Sequence, residues 1–321
     1  RAYMEWGPEQ HIGPDGQDWR VPVSELEDRQ RRLSQRLSEV GIESAFIDDP
    51  VELYWLTGGR QNSAFLIGSD GSGIRTVQWV RRSIERARYE GGGTDCPHEI
   101  KQHPRMASLC DELVSSGCNE RPSMIAGKMP HERWSFLNSK MVALGGESED
   151  CTELLYSLRE EKTSWEISMI RESGEVNRKM FEVIHEKGGV GKSELEMAGA
   201  ADEVSRKSGF GGRIRMRKWP MDCDRVVIAA GRSGAVPSYF DSAVGGLGGS
   251  PMTSLGAGFS RVEERQPVLV DIVHVHRGYV SDCTRMFSAG KLSSEWESRL
   301  EQMCEISAGV VNSLGRGDDC S

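Results

Sequence analysis

The sequence predicts a two-domain α/β protein, and three observations carry that expectation. The chain has 321 residues, enough for two domains that each bury a core. Between Ser24 and Leu144, short apolar runs with strand character alternate with helical stretches, the pattern of a small α/β domain. Past a linker at 150–158, long helical stretches lead to a β-hairpin at 267–290, PVLVDIVHVHRGYVSDCTRMFSAG.

The elements follow in order. Residues 1–23 are rich in Gly, Pro and polar side chains and read as an extended arm. Ser24 caps a helix, with Glu27 completing a capping box; Leu26, Leu33, Leu37 and Val40 mark its apolar stripe and Gly41 stops it. A strand at 44–47, a short apolar element at 51–56, and strands at 63–67 and 74–80 follow, the last two joined by a turn at 68–73. Helices at 81–89 and 104–116, a strand at 122–126 and a helix at 131–144 complete the first domain. Gly91-Gly92-Gly93 lacks the strand-to-helix setting of a phosphate loop.

In the second domain Thr163 caps a long helix. Glu166 lies in its first turn, and Ile167, Ile170, Val176, Met180, Val183 and Ile184 form its apolar face. Ser193 caps the next helix, with Glu196 closing the capping box. The basic stretch 209–220, holding Arg213, Arg215, Arg217 and Lys218, reads as a solvated loop; its functional alternative is the lip of a cleft that draws in an acidic group. A strand at 225–230 runs into a glycine-rich loop at 231–258, where Ser238-Tyr239-Phe240-Asp241 is the bulky cluster. Loops this long are functional or disordered. After the hairpin an amphipathic helix runs through Trp296, Leu300, Met303, Ile306 and Val310.

A net charge of −9 argues against a nucleic-acid or anionic-membrane surface. No apolar run approaches the ~18–20 residues of a membrane span, and the N-terminal stretch has no secretory h-region. The chain does not begin with Met, so a processed or incomplete product is expected. Eight scattered cysteines without a C-x-x-C pair read as reduced thiols of a cytoplasmic protein.

The hairpin holds the chemistry. Asp271 and Asp282 lie on its two strands. A turn at His276-Arg277 would pair 271 with 282 directly, on one face, with Cβ atoms roughly 5 Å apart. Two carboxylates that close repel unless a cation lies between them, and a divalent metal would resolve the conflict. A solvated face, or partners among nearby Arg side chains, is the plainer reading. His274 and His276 fall on the opposite parity, so a regular strand points them, and Cys283, to the other face.

Four stretches in order resemble the pita-bread metallopeptidases, the family of aminopeptidase P, prolidase and creatinase. They are LYWLTGGRQNSAFLI at 53–67, LREEKTSWEISMIRESGEV at 158–176, RVVIAAGRSGAVPSYF at 225–240 and LVDIVHVHRGYVSDCTRMFSAG at 269–290. In the last, the Asp spacing, the Gly-Tyr before the second Asp and the trailing Thr284-Arg285 all agree with the family.

The resemblance implies an α/β creatinase-like N-terminal domain at 24–157 and an α+β pita-bread catalytic domain from 158 to 321. It implies two divalent ions (Mn, Zn, Co or Fe) in a complete chain, with Asp271 on one metal and Asp282 bridging. The reaction implied is release of an N-terminal residue preceding proline by a metal-activated water. A homodimer and a peptide or small-molecule substrate are also implied, with no nucleic acid or membrane partner.

The sequence departs from the family in two places. No His follows His276, and Glu295, Glu297, Glu301 and Glu305 do not match the later ligand motifs. The catalytic domain is therefore expected to be incomplete at its C-terminus, with three ligands absent, this chain alone inactive and apolar surface exposed. The substrate loop places Ser238 before Tyr239 where the family's peptidases carry His. Both are carried over as substrate-binding residues. Two alternatives stand beside the peptidase: a creatinase-like hydrolase or lyase acting on a small non-peptide substrate, and a non-catalytic peptide-binding module.

Overall fold

The computed structural model describes residues 11–69, 73–210, 214–216, 224–240 and 244–316. The chain divides into two compact units, Arg1–Trp165 and Glu166–Ser321.

The first unit is a three-layer α/β sandwich. Helix α1 spans Val23–Glu39. It begins one residue before the expected cap, because Pro22 takes the N-cap position with no side-chain bond, so the Ser24–Glu27 capping box does not form. Strand β1 (Ser44–Ile47) follows, then helix α2 (Pro50–Thr57), capped by Asp49, which accepts from Val51 N and Glu52 N. Gly58 closes α2 in the left-handed region, at φ 76°. Strands β2 (Ser63–Ser69) and β3 (Ile74–Val80) form a hairpin whose central turn residues, 70–72, lie outside the described residues. Helix α3 (Ile84–Glu90), strand β4 (Glu99–Gln102), helix α4 (Leu109–Ser115), strand β5 (Ser123–Met124), helix α5 (His131–Met141) and helix α6 (Thr152–Glu160) complete the unit.

The sheet order is β4-β3-β2-β1-β5. The outer pairs are parallel and the inner ones antiparallel. Alternation sorts the side chains: Ala45 and Ile47 join Leu33, Leu37, Phe65 and Leu155 on one face, while Phe46 joins Leu66, Trp79, Leu113 and Leu137 on the other. Helix α6 covers residues expected to be linker, and its Leu155 is fully buried. The edge strand β4 went unanticipated because Glu-Ile-Lys-Gln is charged and mostly solvent-facing, as edge strands are.

In the second unit, helix α7 (Ser164–Lys187) and helix α8 (Glu194–Lys207) pack on one face of a three-stranded antiparallel sheet. Its strands are β6 (Val226–Ala230), β7 (Pro267–His276) and β8 (Tyr279–Ser288), in that order. The Ser193–Glu196 capping box is present. The Thr163 hydroxyl, just ahead of α7, donates to Glu25 at 3.1 Å.

The buried stripe of α7 runs Glu166, Met169, Ser173, Val176–Asn177, Met180 and Val183–Ile184; Ile167 is exposed. The polar members explain the rotation. Ser173 donates to the His274 carbonyl (2.8 Å), Asn177 to the Ser281 carbonyl (3.1 Å), and Tyr279 donates to Glu166 (2.9 Å). The stripe thus binds hairpin backbone as well as apolar side chains. Arg213, Arg217 and Lys218 of the basic stretch lie outside the described residues. Helix α9 (Ser294–Arg316) buries none of its residues, leaving Trp296, Leu300, Met303, Ile306, Val310 and Leu314 exposed.

Candidate metal and substrate site

The site is built on the β7–β8 hairpin and the loop that precedes it. The turn is Arg277-Gly278, with φ of 49° and 90°. A two-residue hairpin turn of this hand needs left-handed backbone at both positions, and glycine takes it without a Cβ clash. The expected His276-Arg277 turn is therefore shifted by one residue. His276 pairs with Tyr279, Asp271 with Thr284, and Val273 with Asp282.

Asp271 and Asp282 are not directly opposed, as the sequence suggested. They are diagonal neighbours on the same face, since 271 and 273 share parity and so do 282 and 284. Thr284 donates its hydroxyl to Asp271 Oδ1 at 2.6 Å, orienting that carboxylate. The Asp282 carboxyl is raised above the ordinary Asp value, by desolvation first and then by the Asp271 charge and a hydrogen bond with Asp271. The Asp271 charge and the Asp282 carboxyl thus oppose each other, a conflict that a cation between them would relieve. Among the described residues no group of three or more His, Cys, Asp or Glu could hold a metal ion. The pair fits a divalent cation as two oxygen donors and supplies only part of a coordination sphere.

His274 and His276 point away from this face, as their parity required. His274 is fully buried under α7 and α8. Its Nδ1 lies 2.9 Å from Ser205 Oγ and its ring 5.8 Å from that of Phe210. His276 Nε2 lies 2.9 Å from Glu172.

The glycine-rich loop is packed backbone to backbone in its described parts. Gly246 N donates to the Val236 carbonyl (3.0 Å), Gly248 N to that of Gly256 (3.0 Å), and Gly256 N to that of Gly245 (3.1 Å). Gly256, at φ 73°, approaches Val227, where an added Cβ would meet the Val227 side chain at 3.1 Å. Val227 is the register partner of Asp271, so this turn of the loop lies on the carboxylate face of the sheet. Ser238 Oγ accepts from Phe240 N (3.2 Å) and donates to the Val244 carbonyl (2.9 Å), so its hydroxyl pins the loop's own turn. Tyr239 is exposed. Asp241 lies outside the described residues.

Sequence reasoning passed over Glu194. Its carboxylate is fully buried and accepts from Ala230 N (2.7 Å), Gly258 N (2.8 Å) and the Ser233 hydroxyl. The available signal was an acid directly after a capping serine, which reads equally well as a dipole partner of the helix.

Residues 168–312 match the model of metallopeptidase family M24. A search of curated protein sequences returns no match. Among solved structures the chain resembles an Xaa-Pro dipeptidase from Bacillus anthracis, with a TM-score of 0.66 and 19% identity, covering 85% of this chain and 68% of that one. It also resembles the prolidase from Pyrococcus horikoshii (TM-score 0.62, 17% identity, 84% and 67% covered). A third likeness is to the dipeptidase PepE from Mycobacterium ulcerans (0.64, 18%, 86% and 68%). Identities this low speak for the fold. The hairpin, its paired acids and the loop on their face all fall inside the segment that matches metallopeptidase family M24, and the fold is the pita-bread architecture of these peptidases.

Proposed function

We propose that this protein is a metal-dependent hydrolase of the Xaa-Pro type, removing an N-terminal residue that precedes proline. The observation that supports it is the Asp271–Asp282 pair, held on one face of adjacent strands with Thr284 orienting one member. A divalent ion bound there would lower the pKa of a bound water toward neutrality. Asp271 and Asp282 would hold the ion, and Tyr239, exposed on the neighbouring loop, would line the substrate side. Manganese, zinc, cobalt or iron, a homodimer and a cytoplasmic setting belong to the same reading. The free cysteines among the described residues suit a reducing compartment.

The test is metal content by elemental analysis, together with cleavage of Xaa-Pro dipeptides, on the polypeptide as its gene encodes it. Bound divalent metal with metal-dependent release of the N-terminal residue is the expected result. No metal and no cleavage would turn the reading toward a peptide-binding module.

Ser238 favours a second reading, a creatinase-like hydrolase or lyase on a small non-peptide substrate. A hydroxyl already committed to Phe240 and Val244 has no proton to exchange near neutral pH. Ser238→His is expected to raise Xaa-Pro cleavage by about tenfold if this position sets the substrate class. Unchanged turnover would count against that role.

A further inference from the structure

The geometry points to Glu194 as the positioning residue of the substrate loop: one buried carboxylate that closes both roots of the segment between Gly231 and Gly258 and so holds it on the carboxylate face of the sheet. One root is the exit from β6, where Ala230 N and the Ser233 hydroxyl both donate to Glu194 Oε1. The other root is the return toward β7, where Gly258 N donates to Oε2 at 2.8 Å. The first turn of α8 adds a second connection. Leu195 N donates to the Gly258 carbonyl (3.2 Å) and Glu194 N to the Ser260 carbonyl (3.0 Å). The helix N-terminus, whose first amide groups have no partners inside the helix, therefore finds its acceptors in the loop's return strand.

A carboxylate can do this and an amide cannot. All three groups that face Glu194 are donors, and an ionised carboxylate is acceptor-only at both oxygens. Glutamine presents an NH2 at one of the two ends, opposing either Gly258 N–H or the Ala230–Ser233 pair. A buried donor left without an acceptor is expensive, so one root opens. Aspartate keeps the charge but is one methylene short of spanning both roots. Between the roots, the Gly256–Val227 contact carries the constraint to the strand position paired with Asp271. The described turn of the loop at Gly256 is thus a fixed wall on the face of the acid pair, set from the loop's roots by the buried Glu194. What the wall binds rests on the peptidase reading; that Glu194 sets the wall does not.

Hydrogen exchange by mass spectrometry on the full polypeptide tests the placement. In Glu194→Gln, peptides covering 231–240 and 244–258 are expected to exchange about tenfold faster, with α7 and the β7–β8 hairpin within about twofold of the parent. Glu194→Asp is expected to loosen one root and leave the other protected. Uniform acceleration across Glu166–Arg316, or unchanged loop exchange, would overturn the inference. Should Glu194→Gln fail to fold, Ser233→Ala removes a single donor partner and is expected to loosen 231–240 alone; no change there would be equally damaging. A proline-containing dipeptide titrated into parent and variant separates the two readings. Absence of binding to the parent tells against the peptidase reading and leaves the exchange result standing. Tight binding in the parent that survives Glu194→Gln unweakened, despite a loosened loop, would overturn the positioning role.

Discussion

Replacing Asp282 with asparagine is expected to weaken divalent-cation binding at least tenfold and, in the same variant, to make the metal-free protein slightly more stable. The two effects have one cause. The Asp282 carboxyl is raised above its ordinary value by desolvation and by Asp271, so its folded-state pKa exceeds its unfolded one. The folded state then binds more protons than the unfolded state around that pKa, and stability declines as pH rises through it. Above that pKa the Asp282 charge is repelled by Asp271 on the same face of the sheet. Asparagine removes that repulsion, worth about 0.5 kcal/mol at a solvent-screened site. It also removes one of the two anionic oxygen donors, on which affinity for hard cations depends. Asp271→Asn should behave alike, its amide oxygen still accepting from Thr284. Calorimetric Mn²⁺ titration and thermal unfolding in a chelator, on parent and both variants, give the comparison. Variants that lose stability at neutral pH with metal absent would show the acids to be structural, and the metal assignment would fall.

Lowering the pH from about 7 to about 5 is expected to destabilise both units, by about 2 kcal/mol for each buried histidine. His98, in the first unit, is pushed down to about 4 by burial. Its hydrogen bonds run in one direction. Gln30 Nε2 lies 3.1 Å from Nδ1 while also donating to the Leu56 carbonyl, and Nε2 lies 3.2 Å from Gln78 Oε1. Gln78 Nε2 then donates to Ser63 Oγ at 3.1 Å. A proton added at Nδ1 would oppose the Gln30 amide in a site without water-like freedom. His274, in the second unit, is pushed to about 4 by burial first and then by His276 and Arg225. For a group whose folded pKa lies below its unfolded 6.5, the unfolded chain takes up the proton first. Stability is therefore full above about 6.5 and falls as pH drops toward 4. Chemical denaturation followed across this range, with His98→Gln as the control that flattens the first unit's share, checks it. A stability that is level from neutral pH down to about 4 would contradict the account.

Much of this architecture is legible in the residues. The period-two runs around Asp271 and Asp282 announced a hairpin, and parity alone placed His274 and His276 on the covered face. The register was not legible to the residue. Whether the turn takes His276-Arg277 or Arg277-Gly278 depends on which pair tolerates positive φ, and one glycine decides it. The orientation of α7 was hidden for a different reason. Ser173 and Asn177 look like surface residues until a sheet carbonyl is there to receive them. Pattern reading sorts by polarity and cannot see a polar group whose partner is distant backbone. Glu194 was missed on the same ground.

The loop between β6 and β7 has a consequence for how the chain can vary. By composition it looks like the most permissive stretch of the sequence. Yet a β-carbon on Gly245 would collide with the Val236 carbonyl, one on Gly246 with Gly256, and one on Gly248 with the Thr253 carbonyl. Each obstacle is backbone, which cannot swing aside as a side-chain tip can. In a library of single substitutions these three positions should accept almost nothing, while exposed neighbours such as Gly249 and Met252 accept nearly anything. The tolerance map of this loop would then resemble that of a buried core, with the difference that its forbidden positions are fixed by the absence of side chains.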